Sequence, residues 1–590
     1  MKCGKCPGED MKEAEIVKVA CGYGFLRPLT RLMNACLRLG RFPSSWKTVA
    51  ICVLLKSPDK DRLALKSYRP VCLVPVLGKV LERLIRWRLL PVISNKDHAS
   101  SRQFGFRAER CTADAIGLAR SIVSGSEKPL AFGILFDITD AFDNLRWDSV
   151  MEELATRGCP GNLWQLIRDY LTDRTVSLMS DGSRVTRRVK KGAPQGSILG
   201  PDMWNMCMNP GLRKVQERDG EIVAYADDLL LLVTGGSRTE CEVRGQSMMD
   251  VISGWLSRLC LEISRSKTEM ILLKNNNAKG GKKVTASGKK RLIERGDLTG
   301  SLIKVGIGGA PQPCHIEIAG VKASGLYQRL ASVARAQWGI SYGAMRHLYV
   351  GVFLPTMLYA VTVWGDLVTD TLAKNLVRMQ RVALLRICRA YRTMSTASLQ
   401  VCTCLLPLDL ESIRWRLRAK TKRGVSFELY CVAFREGDNK RQALERVETR
   451  LLELWQERWL ATSKGEATKR FFPRIANRIE KDFIELDHYV SQFLTGHGDF
   501  SYSSHALRLA ASPLYSCGAD ETDRHVLLKC ERLETSRVEL RECLARIGSP
   551  WPPYLSSLVE TKEVNGVFRR TCRVLLLEKR RLDVEERDRA

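Results

Sequence analysis

Ile222-Val223-Ala224-Tyr225-Ala226-Asp227-Asp228-Leu229-Leu230-Leu231-Leu232-Val233 places two adjacent aspartates inside an otherwise apolar run. The pattern predicts two buried strands joined by a tight turn, with both carboxylates at its tip. Carboxylates held side by side repel, which raises one pKa unless a cation neutralises them. A hard divalent metal resolves that conflict, and a third carboxylate from another strand would complete an oxygen-rich, Mg-like site. Leu130-Ala131-Phe132-Gly133-Ile134-Leu135-Phe136-Asp137 can supply it, being a short apolar run, fit for a buried strand or a piece of buried helix, that ends in an acid. A carboxylate there is costly unless paired or metal-bound, so Asp137 is a site candidate. Two metals about 3.5 to 4 Å apart clamp the attacking and leaving oxygens of a phosphoryl transfer.

Beyond Asp137 come Ala141-Phe142-Asp143, then Trp147, Val150, Met151 and Leu154 at helical spacing, stopped by Gly158 and Pro160. This predicts strand, tight turn, helix. Asp143 is expected to cap the helix.

The whole chain fits that chemistry. Its 590 residues exceed one ordinary core, and 94 Lys+Arg against 65 Asp+Glu leave a net charge of +29. A polyanion is the expected partner. The 20 cysteines sit singly in apolar segments such as Ile51-Cys52-Val53 and Val71-Cys72-Leu73, with no secretory segment near Met1. They read as reduced, mostly buried thiols of an intracellular protein. Leu348 to Gly365 carries no charged residue and just reaches the length of a membrane span. Pro355, Thr356 and Thr362 within it favour a buried helix pair broken at the proline, so no membrane partner is expected. Lys274 to Arg291 reads as an exposed basic loop, and Val305-Gly306-Ile307-Gly308-Gly309, lacking phosphate-loop spacing, as strand and turn.

Tyr225-Ala226-Asp227-Asp228 resembles the Tyr-x-Asp-Asp box of reverse transcriptases, and Phe136-Asp137 to Phe142 their first catalytic box. Lys191-Gly192-Ala193-Pro194-Gln195-Gly196 through Pro201 is similar to the template-and-nucleotide loop of non-LTR (LINE-like) retrotransposon enzymes. Tyr68-Arg69-Pro70, Gly78 to Glu82, Gln103 to Arg107 and Lys267-Thr268-Glu269 match further boxes in the family's order, and Gly4 to Asp10 resembles its upstream extension. Tyr349 to Trp364, Ala390 to Thr393 and Thr495 to Gly498 are looser matches to the type-1 elements inserted in ribosomal RNA genes. The sequence departs from the family at Leu302 to Gly306, where a Tyr-Leu-Gly strand is usual. It begins inside a family box without an N-terminal endonuclease domain, so a fragment of a longer polyprotein is expected.

The resemblance implies an α+β right-hand polymerase with fingers, a split-βαβ palm and a helical thumb, followed by a separate helix-rich C-terminal region. The expected divisions are 1–275 for fingers and palm, 276–325 for a basic, glycine-rich connector, 326–400 for the thumb and 401–590 for a nucleic-acid-binding region. It implies RNA-directed DNA polymerisation primed at a nicked target, with two Mg2+ held by Asp137, Asp227 and Asp228. Phe142 would crowd the sugar 2′ position and Gln195 would touch the incoming deoxynucleoside triphosphate. Lys56 and Arg69 would hold its phosphates, and Lys267 would protonate the leaving pyrophosphate. RNA template and DNA primer or target are the implied partners, and the nucleus the site of action. Cys517, His525 and Cys530 resemble a family Cys/His group that would bind Zn2+; Tyr515 stands where its first cysteine would be. Either His497, His505 or Cys543 completes that site, or it has decayed. A C-terminal endonuclease role is implied without assignable residues. The alternatives are an inactive polymerase-derived RNA-binding protein, against which the three intact aspartates argue, and an RNA-dependent RNA polymerase, disfavoured by Phe142.

Overall fold

The apolar run ending at Asp137 becomes a strand because both its edges find partners. The computed structural model describes residues 3–588 apart from 96–97, 181, 265–266, 275–312, 331–339, 436, 507 and 509–511. The chain divides into two compact units, Met1–Gly309 and Ala310–Ala590. In the first, the strands are β1 (Thr48–Leu55), β2 (Tyr68–Leu73), β3 (Leu130–Asp137), β4 (Thr175–Ser180), β5 (Ser183–Arg188), β6 (Glu221–Tyr225), β7 (Asp228–Gly235) and β8 (Glu269–Lys274). One sheet has the order β6-β7-β3-β8, with every neighbouring pair antiparallel.

This sheet is covered on both faces, which accounts for continuous apolar runs where alternation would mark a half-exposed strand. Leu229 to Val233 are all buried. Ile134, Phe136, Leu229 and Leu231 share a core with residues of the helices Gly200–Gln216 and Arg238–Arg258. Successive strand residues point to opposite faces, so Val223, Leu230 and Leu232 turn toward the helix Thr112–Gly125, which packs on β6 and β7. The helix predicted after Asp137 runs Trp147–Thr156, and Gly158 lies past its end at φ 66°.

The second sheet has the order β2-β1-β4-β5. β1 pairs antiparallel with β2 and parallel with β4, and β4 turns back into β5. Gly182, in the turn between them, has φ 76°. The upstream segment is tied to this sheet, since Ser177 and Arg184 both bond the Glu9 carboxylate. A Cβ on Gly8 would come within 2.5 Å of Pro75 N, so only glycine fits there. Cys52 is exposed, contrary to the expectation of a buried thiol, because that face of β1 lies open.

The second unit is predominantly helical. Its first described helix, Pro313–Leu330, starts inside the stretch read as connector. Residues 275–312, with most of the basic run, Val305–Gly309 and the departure at Leu302–Gly306, lie outside the described residues. Fully buried Gln380, on the helix Asp370–Cys388, donates to Tyr349 Oη (2.9 Å) and Leu406 O (2.8 Å). Its Oε1 accepts from Gln400 Nε2 (2.9 Å) and Leu408 N (3.1 Å), so one satisfied amide joins the segments on either side of residue 400. Pro355 does not break the apolar stretch. The helical backbone runs on through it from Tyr342 to Met357, with the π-helical turn Tyr349–Phe353 just before it, and the break follows, at Ala360 with φ 54°. No single helix among the described residues is long and apolar enough to cross a membrane, although one pair bent by 50° has the length and composition.

Candidate active site

Strand register assembles the three carboxylates. Asp137, the last residue of β3, lies opposite Asp228, the first of β7, and Asp227 sits in the turn between β6 and β7. Lys267 joins them by an ion pair to Asp137 Oδ2. Its segment is held by Ser264 N–H bonding Asp137 O (2.9 Å) and Thr139 N–H bonding Glu262 O (2.9 Å). Burial, then the charges of Asp227 and Asp137, push the Asp228 carboxyl up to about 6. Asp227 is raised mainly by burial, with Asp137 adding to it and its own backbone N–H, Arg69 and Lys267 working against it. Three carboxylates, two of them raised by burial and by the charge of Asp137 against the pull of Lys267 and Arg69, have the chemistry of a donor set for hard divalent cations, although their oxygens do not all lie within 4.8 Å of one another.

The turn is fixed from outside. Ala226 has φ 60°, a conformation that costs a non-glycine residue roughly 1–2 kcal/mol. Gln103 Oε1 accepts from Ala226 N (3.3 Å) and Gly105 N (3.0 Å), and Trp204 Nε1 donates to Ala226 O (2.9 Å). A Cβ at Gly105 would fall 2.2 Å from Ala226 N, which accounts for the glycine. The same Trp204 stacks on Phe142 at 5.2 Å, while Phe106 meets that ring edge-on at 5.7 Å. Phe142 is thus half-buried and pinned.

Gln195 lies in a loop locked against the helix Ala141–Asn144 and β2. Ala193 N–H bonds Phe142 O (2.8 Å), and Cys72 N–H bonds Gln195 O (2.8 Å). Further along, Glu82 is fully buried and accepts from Ile198 N (2.6 Å) and Tyr170 Oη (2.9 Å). Asp143 does not cap a helix: it lies inside Ala141–Asn144, one turn earlier than the main helix, and its carboxylate accepts from Gln195 Nε2. Burial is the main cause raising its pKa. Arg69 is exposed on β2, and its charge reaches Asp227. Lys56, exposed beyond β1, donates to Lys66 O (3.0 Å), and its charge reaches Asp143. The roles of Gln103, Trp204 and Asp143 are not evident from sequence. The Gly105–Phe106 box is a signal for the first; no local pattern marks the other two.

In the second unit Cys517, His525 and Cys530 offer ligand atoms within 4.8 Å of one another, with Cys517 Sγ and His525 Nε2 3.1 Å apart. Burial, then Arg537 and Lys529, depress the His525 pKa, which favours the neutral form that a metal binds. His497, His505 and Cys543 fall outside the group, so none supplies the expected fourth ligand. Tyr515 is buried, with the cations of Arg532 and Lys579 each 5.8 Å from its ring; the position serves packing.

A carboxylate-tipped hairpin in a helix-covered antiparallel sheet, braced by the Trp204 that also stacks on Phe142, is the arrangement of a right-hand polymerase of the reverse transcriptase class. Residues 56–307 match the family described as reverse transcriptase (RNA-dependent DNA polymerase). The chain belongs to the Pol polyproteins of type-1 retrotransposable elements R1. It is 31% identical over 357 residues to one from Nasonia vitripennis, covering 59% of this chain and 86% of that one. A 115 kDa protein of element R1DM from Drosophila melanogaster is 33% identical over 564 residues, 93% of this chain. The chain spans 54% of that relative's length. Among solved structures, telomerase from Candida Tropicalis aligns over 64% of this chain and 66% of its own, with 12% identity and a TM-score of 0.35.

Proposed function

We propose that this chain copies element RNA into DNA from a primer at a nicked chromosomal target in the nucleus. The observation that carries the reading is the meeting of Asp137, Asp227 and Asp228 at one sheet end. These residues would hold two Mg2+, which when bound supply the charge that activates the primer hydroxyl and stabilises pyrophosphate. Around them, the Phe142 ring excludes a 2′-hydroxyl, Gln195 contacts the nucleotide, and Arg69 and Lys56 take its phosphates. Lys267 holds Asp137 and stands ready to give a proton to pyrophosphate. The exposed Arg187 and Arg188 of β5 offer cations to an RNA backbone. Cys517, His525 and Cys530 would bind zinc and position target DNA. The test supplies the purified chain with RNA template, annealed DNA primer and Mg2+, and compares deoxynucleotides with ribonucleotides. Extension restricted to deoxynucleotides is expected; no extension, or extension with ribonucleotides alone, rejects the reading.

A further inference from the structure

The Gln195 amide nitrogen lies 3.3 and 3.2 Å from the two oxygens of Asp143. An ionised carboxylate only accepts hydrogen bonds, so the amide must turn its NH2 toward Asp143. The group then left to meet a ligand is Oε1, an acceptor. The backbone beneath is independently fixed. Gly192 N–H bonds Leu145 O (2.7 Å), and Cβ atoms on Gly192 and Gly196 would each come 2.7 Å from a carbonyl oxygen, of Asp143 and Cys72 respectively. Only the side-chain torsions of Gln195 remain to be set, and Asp143 sets them. Both residues line one cavity with Pro70, Cys72 and Lys191, and Asp143 directly follows Phe142.

We infer that Asp143 is a positioning residue that holds the Gln195 amide carbonyl-outward, so that the pocket offers an acceptor and favours a nucleotide carrying a hydrogen-bond donor at that point. This rests on the polymerase reading, in which Gln195 meets the incoming nucleotide. A glutamine free to flip would offer NH2 as readily as oxygen and lose that preference.

The test is steady-state primer extension by the full chain, with D143A, D143N, Q195A and the double variant D143A/Q195A. D143A is expected to raise KM for the deoxynucleotide about two- to threefold with little change in kcat, since a glutamine that offers either end equally is competent about half the time. D143N, whose Oδ1 still accepts from Gln195, recovers most of the loss. The double variant is no worse than Q195A, because the clamp acts only through the amide. With nucleotide analogues each lacking one donor, wild type discriminates against one of them and D143A does not. Should D143A not fold, Q195E brings two carboxylates together and raises KM, and D143N/Q195E relieves it. An unchanged KM in D143A, or fully additive losses in the double variant, overturns the inference while wild-type extension stands. Absence of extension by wild type overturns the polymerase reading itself.

Discussion

Asp228 carries much of the electrostatic cost of the site. Its folded-state pKa, raised to about 6 from an ordinary 3.8, means the folded chain holds the proton more tightly than the unfolded one. Stability therefore falls as pH rises from about 4 to about 6, and the full cost persists above that. In EDTA the protein should melt at a higher temperature near pH 5 than near pH 7.5 as far as this group decides. Mg2+ should raise the melting temperature more at pH 7.5. Asp228→Asn should stabilise the metal-free protein near neutrality by about 1–2 kcal/mol, the shift discounted for partial exposure, while abolishing extension. Asp137→Asn or Asp227→Asn should also abolish extension but leave RNA affinity within about twofold, since phosphate contacts come from the cations. Phe142→Val should admit ribonucleotides while deoxynucleotide extension continues, measured by competing the two on one template. At this scale the acids are legible in the sequence, because a carboxylate that interrupts an apolar run is costly to bury unless it is paired or binds a cation. Asp143 misleads because capping is a local rule, whereas its partner lies fifty-two positions away.

Among the elements, the loop carrying Gln195 depends on Glu82. Burial raises that carboxyl, and it still accepts from Ile198 N and Tyr170 Oη. Glu82→Gln keeps an acceptor and should be tolerated, whereas Glu82→Ala strands both donors and should cost about 2–4 kcal/mol in denaturant unfolding and raise KM for nucleotides. Strand β3 and the β6–β7 hairpin are legible because burial on both faces writes continuous apolar runs. The β4–β5 hairpin is not, although Asp181-Gly182 between alternating residues is a turn signal, because β5 is exposed along its whole length and writes no apolar pattern. The helix break at Ala360 in place of Pro355 is illegible on different grounds: neither glycine nor proline marks the position where the backbone turns left-handed.

For the whole molecule, the net charge of +29 predicts RNA affinity that falls steeply between about 50 and 200 mM salt, in parallel for wild type and Asp227→Asn. Changing His525 and Cys530 together to Ser should remove bound zinc by metal analysis of the full chain and weaken target-DNA binding, with extension on a simple template preserved. The missing first cysteine is readable from spacing, because Tyr515 stands in its place; that this tyrosine is committed to the core is shown only by the fold.

Among the described residues strand β5 has a neighbour on one side only, and Arg187 and Arg188 are exposed along it. An open strand edge is a template on which another copy can dock, and like charges there make two copies repel. That protection is conditional, because dissolved ions shorten its reach to about 10 Å at 0.1 M. Concentrated protein should therefore stay monodisperse in dilute buffer and associate edge to edge as salt rises, the reverse of its behaviour toward RNA, and Val185→Pro should block that association.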